Sequence, residues 1–320
     1  MTFSEFDIID RYFAPLSTGT GNGVVLGGGD DCAILDVPDG YELCVSTDTL
    51  LTGVHFPRDA PAHVAAHRGL AANASDLAAM GAKPTGYILA LTLVDADESW
   101  LQPFSATLET LAARWQIPLI GGNLTRGSEL SLTFTVTGIT PSGMALRRSG
   151  ARHGDDIYVT GWLGEAGAGL QLVQRDPTAG GSLVDRYLCP EPRLELGQAL
   201  RGLASAGIDL SDGIASDLQH ILKASGVSAS VDLAALPVSK DLLKFSGQTE
   251  ARRLALSAGD DYELCFTAPP DRRKDIEALA SAHDIEITCI GRIEAGPGGP
   301  EFIDENGNSV SISAQGYRHF

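Results

Sequence analysis

Residues 27–56 read GGGDDCAILDVPDGYELCVSTDTLLTGVHF, and this stretch constrains the rest of the chain most. A glycine run delivers Asp30 and Asp31 to the mouth of an apolar run, Cys32 to Leu35. A second apolar run, Leu43 to Val45, ends in Ser46-Thr47-Asp48. Short apolar runs bounded by Gly, Pro and Asp read as strands. The Pro38-Asp39-Gly40 turn between them predicts a hairpin, with Asp31 and Asp48 at one end of a sheet. Crowded carboxylates repel one another unless a cation lies between them. Carboxylate and hydroxyl oxygens without thiols suit a hard ion such as Mg2+. The stretch therefore points to a magnesium site that handles phosphate. The competing reading is that these aspartates only decorate turns, where Asp and Gly are common.

Charge narrows the partners. The chain carries 41 acidic against 23 basic residues, a formal charge of −18. That argues against a nucleic-acid backbone or an anionic membrane as partner. Nucleotides stay open, because divalent ions bridge acidic protein to phosphate. The 320 residues suffice for two domains, each with a core. Five cysteines, Cys32, Cys44, Cys189, Cys265 and Cys289, are odd in number, far apart and without a C-x-x-C pair. Read as buried free thiols, they predict a reducing cytoplasm. The opening MTFSEFDIIDRYF is acidic and amphipathic rather than a signal peptide. No apolar run reaches the roughly 18 residues of a membrane span.

Periodicity gives an α-β-β-α-β-α-β-β order for the first part, an α+β domain. Helices are predicted over 3–13, 61–80 and 98–116, and strands over 87–94, 117–120 and 130–140. The helix over 61–80 is so rich in alanine that it must pack closely, against a sheet or another subunit. Asn73 and Asp76 share one of its faces. That face is either simply exposed or supplies a third carboxylate to the metal site. The polar, turn-rich residues 141–155 read as the boundary between domains 1–145 and 146–320. The second part reads as α/β, with strands at 156–160, 208–210 and 285–293 and helices at 192–206, 214–225 and 271–282. Gly-Asp-Asp recurs at 154–156, where it opens a strand, and at 259–261, before the apolar strand of SAGDDYELCF.

The remaining acidic groups cluster where α/β proteins place ligands, at strand ends and strand-to-helix turns. Asp209, Ser211 and Asp212 precede a helix N-terminus, which favours phosphate; plain N-capping explains Ser211-Asp212 equally. Asp260, Asp261 and Glu263 form the last group. There is no Gly-Lys-Ser/Thr phosphate loop, and the chain has only five lysines. If it handles ATP, metal ions and a few arginines must meet the phosphate charge. Arg126, Arg147 and Arg148 are the candidates, against the ordinary alternative of solvated surface. Among the histidines, His55, just after the Asp48 cluster, is the one site candidate.

In order and spacing, GDDCAIL, STDTLLTGVHF, ANASDLAAMGAKP, GGNLTRG, IDLSDGIASDL and GDDYELCF resemble the bacterial thiamine-monophosphate kinase family of the PurM-like superfamily. The resemblance runs from about residue 3 to residue 320. It implies a PurM-like two-domain fold, with an N-terminal mixed sheet that pairs across a homodimer and a C-terminal α/β domain. It implies transfer of the γ-phosphoryl of ATP to thiamine monophosphate with several Mg2+ ions. Carried over by motif, Asp31, Ser46, Thr47, Asp48, Asp76, Asp209 and Asp212 resemble metal ligands. Gly122, Asn123, Arg148 and Ser211 resemble nucleotide contacts, and His55 and Asp260 contacts to thiamine phosphate. Three positions depart. Asn123 stands where the family has Asp, a weaker metal ligand through oxygen alone. Asp260 stands where Glu is frequent. Ala314 stands where the resemblance implies a tryptophan stacked on thiamine, so that stacking either falls to Tyr317 or is lost.

Overall fold

The structure is a computed structural model, and it describes residues 4–17 and 23–312. Two compact units divide the chain, residues 1–77 with 82–143, and residues 78–81 with 144–320.

The first unit opens with α1, Glu5–Ile8, whose N-cap Ser4 and third residue Asp7 form a reciprocal capping box. It continues through a π turn, Ile9–Phe13, and a 3-10 turn, Ala14–Leu16. Strands β1, Val24–Leu26, and β2, Ile34–Leu35, pair antiparallel with each other. They are followed by β3, Tyr41–Leu51, α2, Ala62–Ala79, β4, Lys83–Leu93, α3, Glu98–Trp115, β5, Leu119–Arg126, and β6, Ser131–Pro141. The four longer strands form one sheet in the order β3-β6-β4-β5. Only β4 and β5 are parallel, the pair that α3 connects.

This corrects the predicted hairpin. Strand β2 pairs with β1, whereas β3 pairs along its whole length with β6, so that Asp48 lies opposite Phe134. Strand β3 also runs well past Val45, which puts Ser46-Thr47-Asp48 inside the strand rather than at its end. Likewise β5 runs through Gly121-Gly122-Asn123, so these residues lie within a strand. The thiols are corrected too. Cys265 is buried, but Cys32 and Cys289 are exposed and Cys44 and Cys189 half-buried.

Helix α2 is buried nearly all round, with Val64, Ala65, Ala66, Leu70, Ala71 and Ala74 fully enclosed. Its small residues let it lie almost on the sheet. A Cβ at Gly69 would sit 2.4 Å from the Phe134 ring. Phe134 is itself fully buried and cannot swing into solvent.

The second unit contains β7, Asp156–Thr160, α4, Glu165–Arg175, α5, Ser182–Leu188, α6, Leu194–Ala199, β8, Ala206–Asp209, and α7, Ile214–Ser225. Then come β9, Ser228–Asp232, α8, Lys240–Ser257, β10, Leu264–Ala268, α9, Arg273–His283, β11, Ile287–Glu294, β12, Pro300–Ile303, and β13, Ser309–Val310. One sheet takes all seven strands in the order β13-β12-β9-β11-β7-β10-β8. Helix α6 is shorter than the predicted 192–206, which also contains the start of β8. Both β9 and most of α8 lie outside the predicted elements; at Gly247 α8 has a non-helical φ of 74° that breaks its periodicity.

Because β10 runs antiparallel to both β7 and β8, Thr160, Asp209 and Leu264 meet at one end of the sheet. Three loops therefore gather there, the one entering α4, the one entering α7, and residues 258–263.

Replacing Gly69 with Ala forces the Phe134 ring to give way by more than a rotamer adjustment allows. Unfolding in denaturant is expected to show a loss of about 1–3 kcal/mol, the usual cost of overpacking a core.

Candidate active site

In the first unit, alternation along β3 puts Ser46 and Asp48 on the face covered by α2. Asp76 of α2 meets them there. Ser46 Oγ donates to Asp76 Oδ2 at 2.5 Å. Asn73 is fully buried and ties the two elements together. Its Oδ1 accepts the Asp48 N–H at 2.9 Å, and its Nδ2 donates to the Gly69 carbonyl at 2.9 Å. Since β3 is an edge strand, alternate N–H groups lack a ladder partner, and Asn73 takes one of them. Of the two readings of the Asn73–Asp76 face, the structure supports the one that turns it to the acidic cluster.

Asp48 retains exposed surface, yet partial desolvation and the nearby charge of Asp76 push its carboxyl up to about 6. Two carboxylates in such proximity, with a hydroxyl beside them, form an oxygen-only donor set that suits a hard divalent cation. Among the described residues, no three His, Cys, Asp or Glu side chains converge on one point.

The other predicted residues of this unit lie apart. Asp31 is exposed in the bend before β2, its N–H donating to Asp30 Oδ1 at 2.8 Å. Thr47 points to the opposite face of β3 from Ser46 and Asp48, where its hydroxyl donates to the Phe134 carbonyl and touches Thr135 Oγ1, both at 3.0 Å. Register across the sheet sets Gly122 in the row of Asp48, Phe134 and Leu89, and Asn123 in a row on the uncovered face. Strands β3 and β5 are the two edges, roughly 14 Å apart at ordinary strand spacing. Asn123 and Asp48 therefore do not meet within one chain. His55 follows β3, where its Nδ1 accepts the Leu51 N–H at 3.0 Å and its carbonyl accepts from buried Arg68 at 3.2 Å.

The second unit holds its acidic groups at the shared end of β7, β10 and β8. Buried Asp209 closes β8; exposed Ser211 and half-buried Asp212 form the turn into α7. From the first turn of α7, Asp217 reaches back, and its Oδ2 accepts the Asp212 N–H at 3.0 Å. Burial, partly offset by that hydrogen bond and reinforced by the charges of Asp209 and Asp212, pushes Asp217 up to about 8. Residues 260–263 pack against the same turn. The Asp260 N–H donates to the Ser211 carbonyl at 2.9 Å, and the Tyr262 N–H to the Leu210 carbonyl at 2.8 Å. Buried Asp261 caps α4 from outside the helix, accepting from Gly164 N at 2.7 Å and Ala166 N at 3.3 Å. Its burial outweighs those donors and pushes it up to about 8. Glu263 has no exposed surface and receives Arg186, Arg193 and Thr160.

The candidate arginines stay at the surface. Arg126 pairs with exposed Asp95 at 3.0 Å, and the side chains of Arg147 and Arg148 are exposed. Tyr317 and Ala314 lie outside the described residues.

Two domain families match the chain. Residues 29–140 match the AIR synthase related protein N-terminal domain, and residues 152–303 its C-terminal domain. The chain is 46% identical to thiamine-monophosphate kinase of Salmonella typhimurium, over 100% of this chain and 99% of that protein. The chain belongs to the thiamine-monophosphate kinase family. Its fold agrees, with a TM-score of 0.87 and 43% identity to the crystal structure of thiamine-monophosphate kinase from Stenotrophomonas maltophilia K279a, over 97% and 99% of the two chains. A family structure of AaThiL, complexed with AMPPCP and TMP, superposes with a TM-score of 0.79 at 27% identity, over 99% and 97% of the chains.

Against this family background, the motif residues are legible in sequence while their supports are not. Asp217 stands inside IDLSDGIASDL but reads there as an ordinary helix residue. Arg186 and Arg193 give no local signal, because their partner Glu263 is 70 or more residues away.

Asp261 provides a pH test. Its folded value lies above the ordinary carboxylate range, so its contribution to stability is full below about pH 4 and is lost as pH rises through about 8. Asp261→Asn removes this dependence. Denaturant unfolding is expected to show the stability difference shifting in the variant's favour from pH 4 to pH 8 and levelling off above.

Proposed function

We propose that the chain transfers the γ-phosphoryl group of ATP to thiamine monophosphate, yielding thiamine diphosphate and ADP, the last step of thiamine diphosphate biosynthesis. The observation that carries this is full-length similarity to thiamine-monophosphate kinases, together with a family structure holding AMPPCP and TMP. The attacking atom is a phosphate oxygen of the acceptor. It is already ionised near pH 7, so no strong general base is needed, and positioning with charge neutralisation suffices.

The residue roles form part of the proposal. Ser46, Asp48 and Asp76 in the first unit and Asp209 and Asp212 in the second would hold Mg2+, with Asp31, Thr47 and Asn123 as further oxygen donors. Bound Mg2+ would neutralise phosphate charge. Gly122, Asn123, Arg148 and Ser211 would contact the nucleotide, with Ser211 beside the N-terminus of α7. His55 and Asp260, with Tyr317, would contact thiamine phosphate. Residues 1–145 would form the nucleotide, metal and dimerisation domain, and 146–320 the second domain.

The protein would act as a cytoplasmic homodimer. Exposed thiols at Cys32 and Cys289 support a reducing compartment. Among the described residues, no helix is long and apolar enough to cross a membrane. The uncovered face of the four-stranded sheet exposes Leu43, Val45 and Ile88, an apolar surface suited to a second copy. A second copy would also let Asn123 contribute to a site shared with carboxylates it does not reach within its own chain.

The test is incubation with ATP, Mg2+ and thiamine monophosphate, followed by chromatography of the thiamine species. One ADP per thiamine diphosphate is expected; ADP without a diphosphate product would refute the assignment. Asp48→Asn is expected to abolish turnover while circular dichroism stays unchanged. Asn123→Asp is expected to lower the Mg2+ concentration for half-maximal rate, and an unchanged Mg2+ dependence would exclude Asn123 from the metal's surroundings.

A further inference from the structure

Segment 260–263 adopts an unusual backbone. Asp260 and Tyr262 both have positive φ, 69° and 50°, in the left-handed region that L side chains occupy at a cost. Such conformations persist only where surrounding contacts over-determine them. Those contacts are identifiable here. The two N–H groups at these positions bond to Ser211 and Leu210, and the Tyr262 hydroxyl donates to Asp260 Oδ1 at 3.2 Å. Asp261 is fixed on the start of α4. The strongest tie is at Glu263, which accepts Thr160 Oγ1 at 2.6 Å, an Arg186 guanidinium nitrogen at 2.6 Å, and Arg193 through two nitrogens at 2.7 and 2.5 Å.

Three features make this tie a specific device. Its carboxylate is fully buried and doubly countered by guanidinium groups, in the fork geometry that holds a carboxylate most rigidly. Arg186 also reaches Glu165 at 3.4 Å, which anchors it to the first turn of α4. The chain clears space for the carboxylate as well. Gly161 has φ +60°, and a Cβ there would lie 2.2 Å from Glu263 Oε1. Arg186 comes from α5 and Arg193 from the N-cap of α6, so two separate elements act on segment 260–263.

We propose that Arg193 and Arg186, clamped on Glu263, are positioning residues that hold Asp260 in its strained orientation for the phosphate acceptor. The clamp keeps the segment from relaxing its left-handed residues, and through its own N–H Asp260 is joined to the Ser211 turn. This inference rests on the proposed role of Asp260 and deepens it.

The test is a double-mutant cycle on the full-length protein. Thiamine monophosphate binding is measured by calorimetry without ATP, and KM and kcat by the kinase assay. Arg193→Lys keeps the charge but loses the fork. It is expected to stay folded and to weaken acceptor binding by roughly tenfold or more, as small displacements of a positioned group do. If Arg193 acts through Asp260, the double variant Arg193→Lys/Asp260→Ala binds no more weakly than Asp260→Ala alone. Additive losses, or normal acceptor affinity in Arg193→Lys, would overturn the proposal, and so would unchanged acceptor binding in Asp260→Ala. If Arg193→Lys does not fold, the same cycle is run with Arg186→Lys, whose guanidinium is the less buried of the two ion pairs. Failure of the kinase assignment is distinguished separately, because it removes turnover of thiamine monophosphate from the unsubstituted protein.

Discussion

A carboxylate can be crowded or buried only where something answers its charge, and that constraint organises both units. In the second unit the protein supplies the answer itself. Glu263 is met by two guanidinium groups, and they outweigh burial and hold its carboxyl below the usual range. Asp261 is hydrogen-bonded by backbone N–H groups at the start of α4 and feels the Arg186 charge without a guanidinium hydrogen bond, and there burial wins and it rises instead. The same physical rule gives opposite outcomes two residues apart, decided by whether guanidinium groups bond the carboxylate directly.

Elsewhere the repulsion between acids stays visible. Asp76 helps to raise Asp48, and Asp209 and Asp212 help to raise Asp217. Crowding carboxylates without guanidinium groups destabilises a folded chain unless a ligand relieves it. An acidic chain acting on polyphosphates has a reason to keep such places. A cation bound there would relieve them and also meet the phosphate charge. The packing that makes the first cluster possible is specific. Alanines and Gly69 bring α2 down onto Phe134, and buried Asn73 then sets α2 against the open edge of β3.

Much of this was legible in the residues. The alanine content of 61–80 predicts a closely packed helix, and α2 is one. The alternation over 130–140 predicts β6, and the Gly-Asp-Asp of 259–261 does precede a strand. Local reasoning fails where pairing is distant. The Pro-Asp-Gly turn suggests that β2 and β3 are neighbours, but β3 takes its partner from residues 131–141. That error carried a second one. Once β3 is extended to Leu51, alternation separates Thr47 from Ser46 and Asp48, although the three are consecutive. The Glu263 clamp is invisible for the same reason, since Arg186 on α5 and Arg193 at the N-cap of α6 meet a strand entry 70 or more residues later.

The central claim is that the crowded carboxylates are built to be answered by a divalent cation. It is tested most directly by thermal unfolding of the chain and of Asp48→Asn with AMPPCP, with and without Mg2+. A ligand that binds only the folded state raises its midpoint. The account predicts that Mg2+ raises the midpoint of the unsubstituted chain clearly and that of Asp48→Asn much less. No Mg2+ effect on the unsubstituted chain, or an equal effect on both, would contradict it.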